Sequence, residues 1–151
     1  MADNQQELIE KIVRSVLLEK FSSLSDYTKT VDPSGILSVK LPTLEVTEED
    51  RLDTGKAGDV VYCKDLVTLA ESPRLGCGLM VMKDTTFDWT LEYDEVDYII
   101  EGTLSVLING RQISAGPGEV LFIPKSSRIQ FSVEGDARFL YVTYPADWAS
   151  Q

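Results

Sequence analysis

The stretch Leu104-Ser105-Val106-Leu107-Ile108 runs directly into Asn109-Gly110. A β-prone segment ending in Asn-Gly specifies a two-residue hairpin, because both central positions of that turn need positive φ. The same texture fills most of the chain. Short β-type runs occupy 36–41, 60–63, 79–82, 96–100, 104–108, 120–123 and 139–144, while Gly116-Pro117-Gly118 and Glu134-Gly135-Asp136 mark further reversals. Many short strands with Gly and Pro turns, and no helical pattern between them, indicate an all-β sandwich or barrel. At 151 residues one domain is expected, since a chain of about 150 residues buries roughly 70% of its unfolded surface.

Residues 5–21 read differently. Ile9, Ile12, Val13 and Val16 fall at helical spacing with Leu8 and Leu17 beside them, the pattern of an amphipathic helix. Asn4 with Glu7 three residues later can cap its start, and 22–26 form a polar linker. The expected division is therefore helix and linker over 1–30 and barrel over 31–151. A lone helix of this length is marginal in water. Its stripe must bury against its own domain, a dimer mate or a groove on another protein.

Fourteen Lys and Arg against 25 Asp and Glu give a formal charge of −11. That field repels phosphate backbones and anionic headgroups, so nucleic acid and membrane surfaces are excluded as partners. No apolar run exceeds four residues, and neither a spanning helix nor a secretory core is expected, which points to the cytoplasm. Cys63 and Cys77 lack a CxxC spacing and read as small apolar residues rather than a disulfide or metal pair.

Between Phe87 and Glu101 lie Asp88, Glu92, Asp94, Glu95, Asp97 and Glu101, with no Lys or Arg among them. In a strand beginning near Glu95, the period of two puts Glu95, Asp97 and Glu101 on one side and Val96, Tyr98 and Ile100 on the other. This acidic face is either a solvated edge or a pocket. In a pocket, two close carboxylates raise a pKa or hold a hard cation such as Mg²⁺. Trp89, Tyr93 and Tyr98 lie among the acids, with Tyr141 and Tyr144 on the last strand; such aromatics are more often core than ligand platforms. Lys125 and Arg128 either counter an anionic substrate or are exposed loop cations. The chain has no GxxxxGK[ST] loop and no GxGxxG, so a nucleotide would bind without that cradle of backbone donors. With no histidine, a Ser-His-Asp or Cys-His arrangement is impossible.

Glu95, six residues, Gly102, followed by Gly118, five residues, Pro124, resembles the skeleton of a cupin barrel. Cupin enzymes hold iron, manganese, nickel or zinc through three histidines and a glutamate, imidazole suiting such metals. Here the histidine positions fall within Phe87-Asp88-Trp89-Thr90-Leu91-Glu92-Tyr93-Asp94 and at Ile129, leaving Glu95 alone, so no iron, nickel or zinc is expected. The wording Trp89-Thr90-Leu91, Tyr93-Asp94-Glu95, Asp97, Glu101-Gly102, Phe122-Ile123-Pro124-Lys125, Arg138-Phe139-Leu140-Tyr141-Val142 and Pro145-Ala146-Asp147-Trp148 resembles the EutQ family of ethanolamine-utilisation proteins. The resemblance implies a cupin jelly roll with a short N-terminal helix, and a place in a protein-shelled bacterial microcompartment. It also implies acetate kinase activity, acetyl phosphate plus ADP to acetate plus ATP, with Mg²⁺. The matching residues are Trp89, Thr90, Tyr93, Glu95 and Asp97. Of these, Glu95, Asp97 and Tyr93 are the catalytic candidates, with Mg²⁺ at Glu95 and Asp97, while Trp89, Thr90, Tyr98, Lys125 and Arg128 are candidate ligand contacts. Ile9, Ile12, Val13, Val16 and Leu17 resemble the stripe by which targeting helices bind shell proteins, and a homodimer is the expected assembly. Two readings stay open: a Mg²⁺-dependent phosphotransferase, and a non-catalytic microcompartment component whose working part is the helix.

Overall fold

A computed structural model of the chain describes Ile9, Ile12, Val13 and residues 29–151. Ile9, Ile12 and Val13 have helical backbone and exposed side chains. The rest of the helix expected over 5–21, Val16 and Leu17 included, lies outside the described residues.

The chain divides into two compact units, 1–45 and 46–151. In the first, β1 (Lys29–Val31) pairs antiparallel with β2 (Leu37–Val39). Among the described residues this hairpin forms a two-stranded sheet of its own. Asp32 Oδ1 accepts the Ser34 N–H at 2.9 Å in the connecting turn, the local bond for which Asp is favoured there.

The second unit holds β3 (Val60–Asp65), β4 (Gly76–Leu91), β5 (Asp94–Glu101), β6 (Leu104–Ile108), β7 (Arg111–Ala115), β8 (Val120–Ile123) and β9 (Ser127–Tyr144). All pairings are antiparallel. The 16-residue β4 and the 18-residue β9 run side by side along most of their length. Their ladder shifts register between Lys83 and Thr85, where Asp84 has φ 40° and its Oδ1 accepts the Gly135 N–H at 2.7 Å. On one side of this shift β3, β4, β9, β5 and β8 form one layer; on the other, β4 and β9 join β6 and β7 in a second. A bulge that bends two long strands is how one sheet folds over on itself.

Alternation along the strands fills the space between the layers. Met80, Ile99 and Phe139 come from one, and Phe87, Val106 and Phe131 from the other, all in one buried cluster. Each side chain of this size contributes about 1.5–3 kcal/mol when fully buried. The β6–β7 turn is the expected hairpin, with Asn109 at φ 51° and Gly110 at φ 73°. Gly102 stands at φ 75°, and a Cβ there would overlap the Asp136 carbonyl, so close approach as well as backbone conformation requires glycine at this position of the skeleton.

Candidate functional site

Glu95 and Asp97 occupy successive inward positions of β5. Glu95 is flanked across the sheet by Ile123 and Thr143, and Asp97 by Leu121 and Tyr141. Both carboxylates and Thr143 are buried. Glu95 Oε1, both Asp97 oxygens and Thr143 Oγ1 have no hydrogen-bond partner. Acceptors left this way in a low-dielectric interior are costly. Burial is the first cause pushing both acids above the usual carboxylate range; the neighbouring Glu95 charge pushes Asp97 further, while the contacts of Glu95 with Asp97 and the Tyr93 hydroxyl act the other way on Glu95. The pair is thus a proton-holding group in which an O–H on one acid can satisfy an oxygen of the other.

The third carboxylate expected on this face is elsewhere. Register shifts between Ile99 and Glu101, which takes Glu101 out to solvent opposite Arg138. Tyr98 points outward beside Val120, as the period of two requires, and is exposed. It shares no face with the acids. Lys125 is exposed, and its backbone N–H donates to Asp94 Oδ1 at 2.8 Å.

Around Glu95 the barrel is full. Trp89 Nε1–H donates to Tyr93 Oη at 2.8 Å. Trp148, on a short 3-10 turn at Trp148–Ser150, stands 6.2 Å from Trp89, 5.9 Å from Tyr93 and 6.2 Å from Tyr141 between ring centres. Tyr141 Oη donates to Asp65 Oδ1 at 2.7 Å and accepts the Cys63 S–H at 3.2 Å. Its ring occupies the space that a Cβ at Gly78 would need. Burial first of all raises the Tyr93 and Tyr141 hydroxyls, and it pushes the Cys63 thiol up to about 12. The free space here, lined by Glu95, Trp89, Tyr93, Tyr141, Trp148 and their neighbours, is about 10 Å³, roughly what one water occupies.

That volume decides the fit of Mg²⁺. The ion takes near-octahedral oxygen ligands and keeps several waters, whereas the free space beside Glu95 holds about one water and is lined by neither Asp97 nor Thr143. Among the described residues no group of three or more acids or thiols is placed to hold a metal. The Mg²⁺ site expected at Glu95 and Asp97 does not fit. At the inward positions beside Glu95, where the cupin pattern calls for imidazoles, stand Trp89, Leu91 and Ile129.

An open cleft of about 640 Å³ lies along the β6–β7 turn. Asp88, Trp89 and Thr90 of β4, Leu107 to Gln112 of the hairpin, and Arg128, Ile129 and Gln130 of β9 line it. Asp88 Oδ1 accepts from Gln130 Nε2 at 3.0 Å. The cleft brings Thr90 and Arg128 together and adds Arg111 and Gln112, which the sequence reading missed; the signal available was an arginine directly after the Asn-Gly turn. Trp148 was also missed as a plug, its signal being a lone aromatic just beyond the last strand.

The model of the ethanolamine utilisation protein EutQ family matches residues 4–150. The chain belongs to this family. It is 62% identical over 149 residues to the protein named "Acetate kinase EutQ" of Clostridioides difficile, covering 97% of this chain and 95% of the relative. To the protein of the same name from Salmonella typhimurium it is 33% identical over 96% of its own length, but spans only 64% of that relative. A solved structure of the Clostridium difficile EutQ protein superposes with a TM-score of 0.80 at 68% identity, over 82% of this chain and 90% of that one. A Schizosaccharomyces pombe Cnp3 cupin domain, 13% identical, covers 72% of this chain and 73% of its own with a TM-score of 0.55. The last likeness concerns the fold alone and gives this EutQ-family chain a cupin-like architecture. No described helix is long and apolar enough to cross a membrane.

Proposed function

We propose that this EutQ-family chain transfers the phosphoryl group of acetyl phosphate to ADP, and that the substrates meet in the open cleft rather than in the barrel. The observation carrying this reading is the 640 Å³ cleft with Arg111 and Arg128 on its wall. Ligand pockets run to about 300–1,000 Å³, and guanidinium forks suit phosphate oxygens. In the reaction the bond from phosphorus to the acyl oxygen breaks and acetate leaves as a carboxylate. A terminal oxygen of ADP forms the new bond, giving ATP. Such transfers need positioning and charge neutralisation more than covalent chemistry. The arginines supply neutralisation, Thr90 supplies a donor, and the Trp89 edge of the cleft gives an apolar wall. Glu95, Asp97 and Tyr93 do not line this cleft, and in this reading they touch no substrate.

The test is ATP formation from acetyl phosphate and the Mg²⁺ complex of ADP, coupled to a reporter enzyme. Arg128→Ala and Arg111→Ala should each lower kcat/KM by about 100-fold, the usual cost of one charge-stabilising donor. Full activity in both variants would remove the cleft from consideration.

The filled barrel favours a second reading, a non-catalytic component of an ethanolamine-utilising microcompartment in the bacterial cytoplasm. In that reading the helix at 5–21 binds a shell protein through Ile9, Ile12, Val13, Val16 and Leu17. Wild-type protein without ATP formation, together with loss of shell-protein binding on deleting 1–21, would select it.

A further inference from the structure

Trp148 borders two hollows. One is a recess of about 80 Å³ whose polar side chains are Asp65, Ser72 and Asp147; the other is the small space over Glu95, walled by Trp89, Tyr93 and Tyr141. No lysine or arginine lines either hollow. Both carry carboxylates in a chain of formal charge −11, a field that draws cations in and turns anions away. Glu95 is 4% exposed, and its Oε1 has no hydrogen-bond partner. Asp97, at the next inward position of β5, is buried with both oxygens equally unpartnered. The rings of Trp89, Tyr93 and Tyr141 each stand 5.9–6.2 Å from a Trp148 ring. A group put in the place of that indole would therefore face three aromatic rings at about 6 Å, the range over which ring faces attract a cation.

The tryptophan can leave without breaking a ladder. It is half-buried on a three-residue 3-10 turn that no side-chain hydrogen bond caps, so its withdrawal breaks ring contacts and no strand pairing. We propose that this end of the barrel binds a short primary alkylammonium ion, such as ethylammonium, when Trp148 swings out. The N–H groups donate to the Glu95 carboxylate, the negative charge of the acid pair neutralises the ion, and the alkyl carbons lie against the rings. Water could satisfy one oxygen but would bring no charge. Burial holds both acids above the usual carboxylate range, and a bound cation favours their ionised form. The closed form leaves only about 10 Å³, too little for the ion. Binding therefore waits on the open form, and the apparent affinity is lowered by the rarity of that form. The inference does not rest on phosphotransfer: Arg111 and Arg128 border neither hollow, and Trp89 alone is shared with the cleft.

Isothermal titration of the full chain with ethylammonium chloride, against sodium chloride at equal ionic strength, tests it. Trp148→Ala should bind ethylammonium about tenfold or more tighter than wild type, because the substitution removes the cost of opening. A residue that merely touched the ligand would show the reverse. Glu95→Gln, added to Trp148→Ala, should weaken binding about tenfold or more, and sodium acetate should not bind. Trp148→Leu keeps a smaller apolar group on the turn and gives the same comparison if the alanine variant fails to fold. Absence of ethylammonium binding in every folded form would overturn the proposal. So would binding no tighter in the Trp148 variants than in wild type, binding undiminished by Glu95→Gln, or acetate binding as well as ethylammonium.

Discussion

Glu95 and Asp97 stand two residues apart on the buried face of β5, and three of their four carboxylate oxygens lack a partner. Both acids hold protons above the usual carboxylate range, burial being the first cause. In the unfolded chain they ionise near pH 4. The folded protein therefore binds more protons than the unfolded one from about pH 4 upward, and stability falls as pH rises. Their favourable contribution is fully present below the unfolded pKa and is lost as pH climbs through the raised folded values. Thermal melts at a series of pH values between 5 and 8 should show Tm decreasing with pH. Glu95→Gln and Asp97→Asn should each flatten that slope and stabilise the protein at the upper end by on the order of 1–2 kcal/mol. A slope unaffected by both substitutions would mean that the acids do not titrate as a buried pair.

Gly78→Ala places a methyl group against the ring of Tyr141. Overpacking of this kind costs about 1–3 kcal/mol. Urea unfolding should report a loss in that range, with the native spectrum retained.

The Cys63 thiol, pushed up to about 12 by burial, should stay unmodified by a thiol-selective disulfide reagent at mildly alkaline pH, because the thiolate is the reacting form. Denaturant should release it. Cys77, raised in the same direction by burial, should follow, and rapid modification of Cys63 in native protein would show that the barrel opens there.

Replacing Trp148 by alanine removes three ring contacts at 5.9–6.2 Å from a half-buried position. The expected cost is about 1–3 kcal/mol, below that of a fully buried aromatic. Ethylammonium, rather than acetate, should then protect the protein against melting, since the space beneath Trp148 becomes accessible.

The legible parts of the fold were those where local chemistry decides. Residues 104–108 and 120–123 are the observed bounds of β6 and β8, since each is a compact apolar run ended by Gly, Pro or an Asn-Gly turn. β4 and β9 were seen only as fragments at 79–82 and 139–144. Their remaining halves place Thr86, Asp88, Thr90, Arg128, Gln130 and Ser132 between buried Phe87, Leu91, Ile129 and Phe131. An apolar-run criterion passes over such alternation, though a period of two was present. Strand period put Glu95 and Asp97 on one side and Tyr98 on the other, as they stand. The shift that sends Glu101 to solvent depends on how β5 meets β9, information held in no single segment. Whether two acids face water or a core also depends on what closes the far end, and that is Trp148, fifty residues beyond.

The chain has two tryptophans, and both ring systems sit in the one aromatic group over Glu95. Steady-state indole emission therefore reports a single place in the molecule without any engineered probe. Its wavelength and its quenching by acrylamide follow the wetting of the barrel mouth. Far-ultraviolet dichroism, by contrast, averages over every strand, so a transition seen by emission before dichroism would resolve opening of that end from global unfolding.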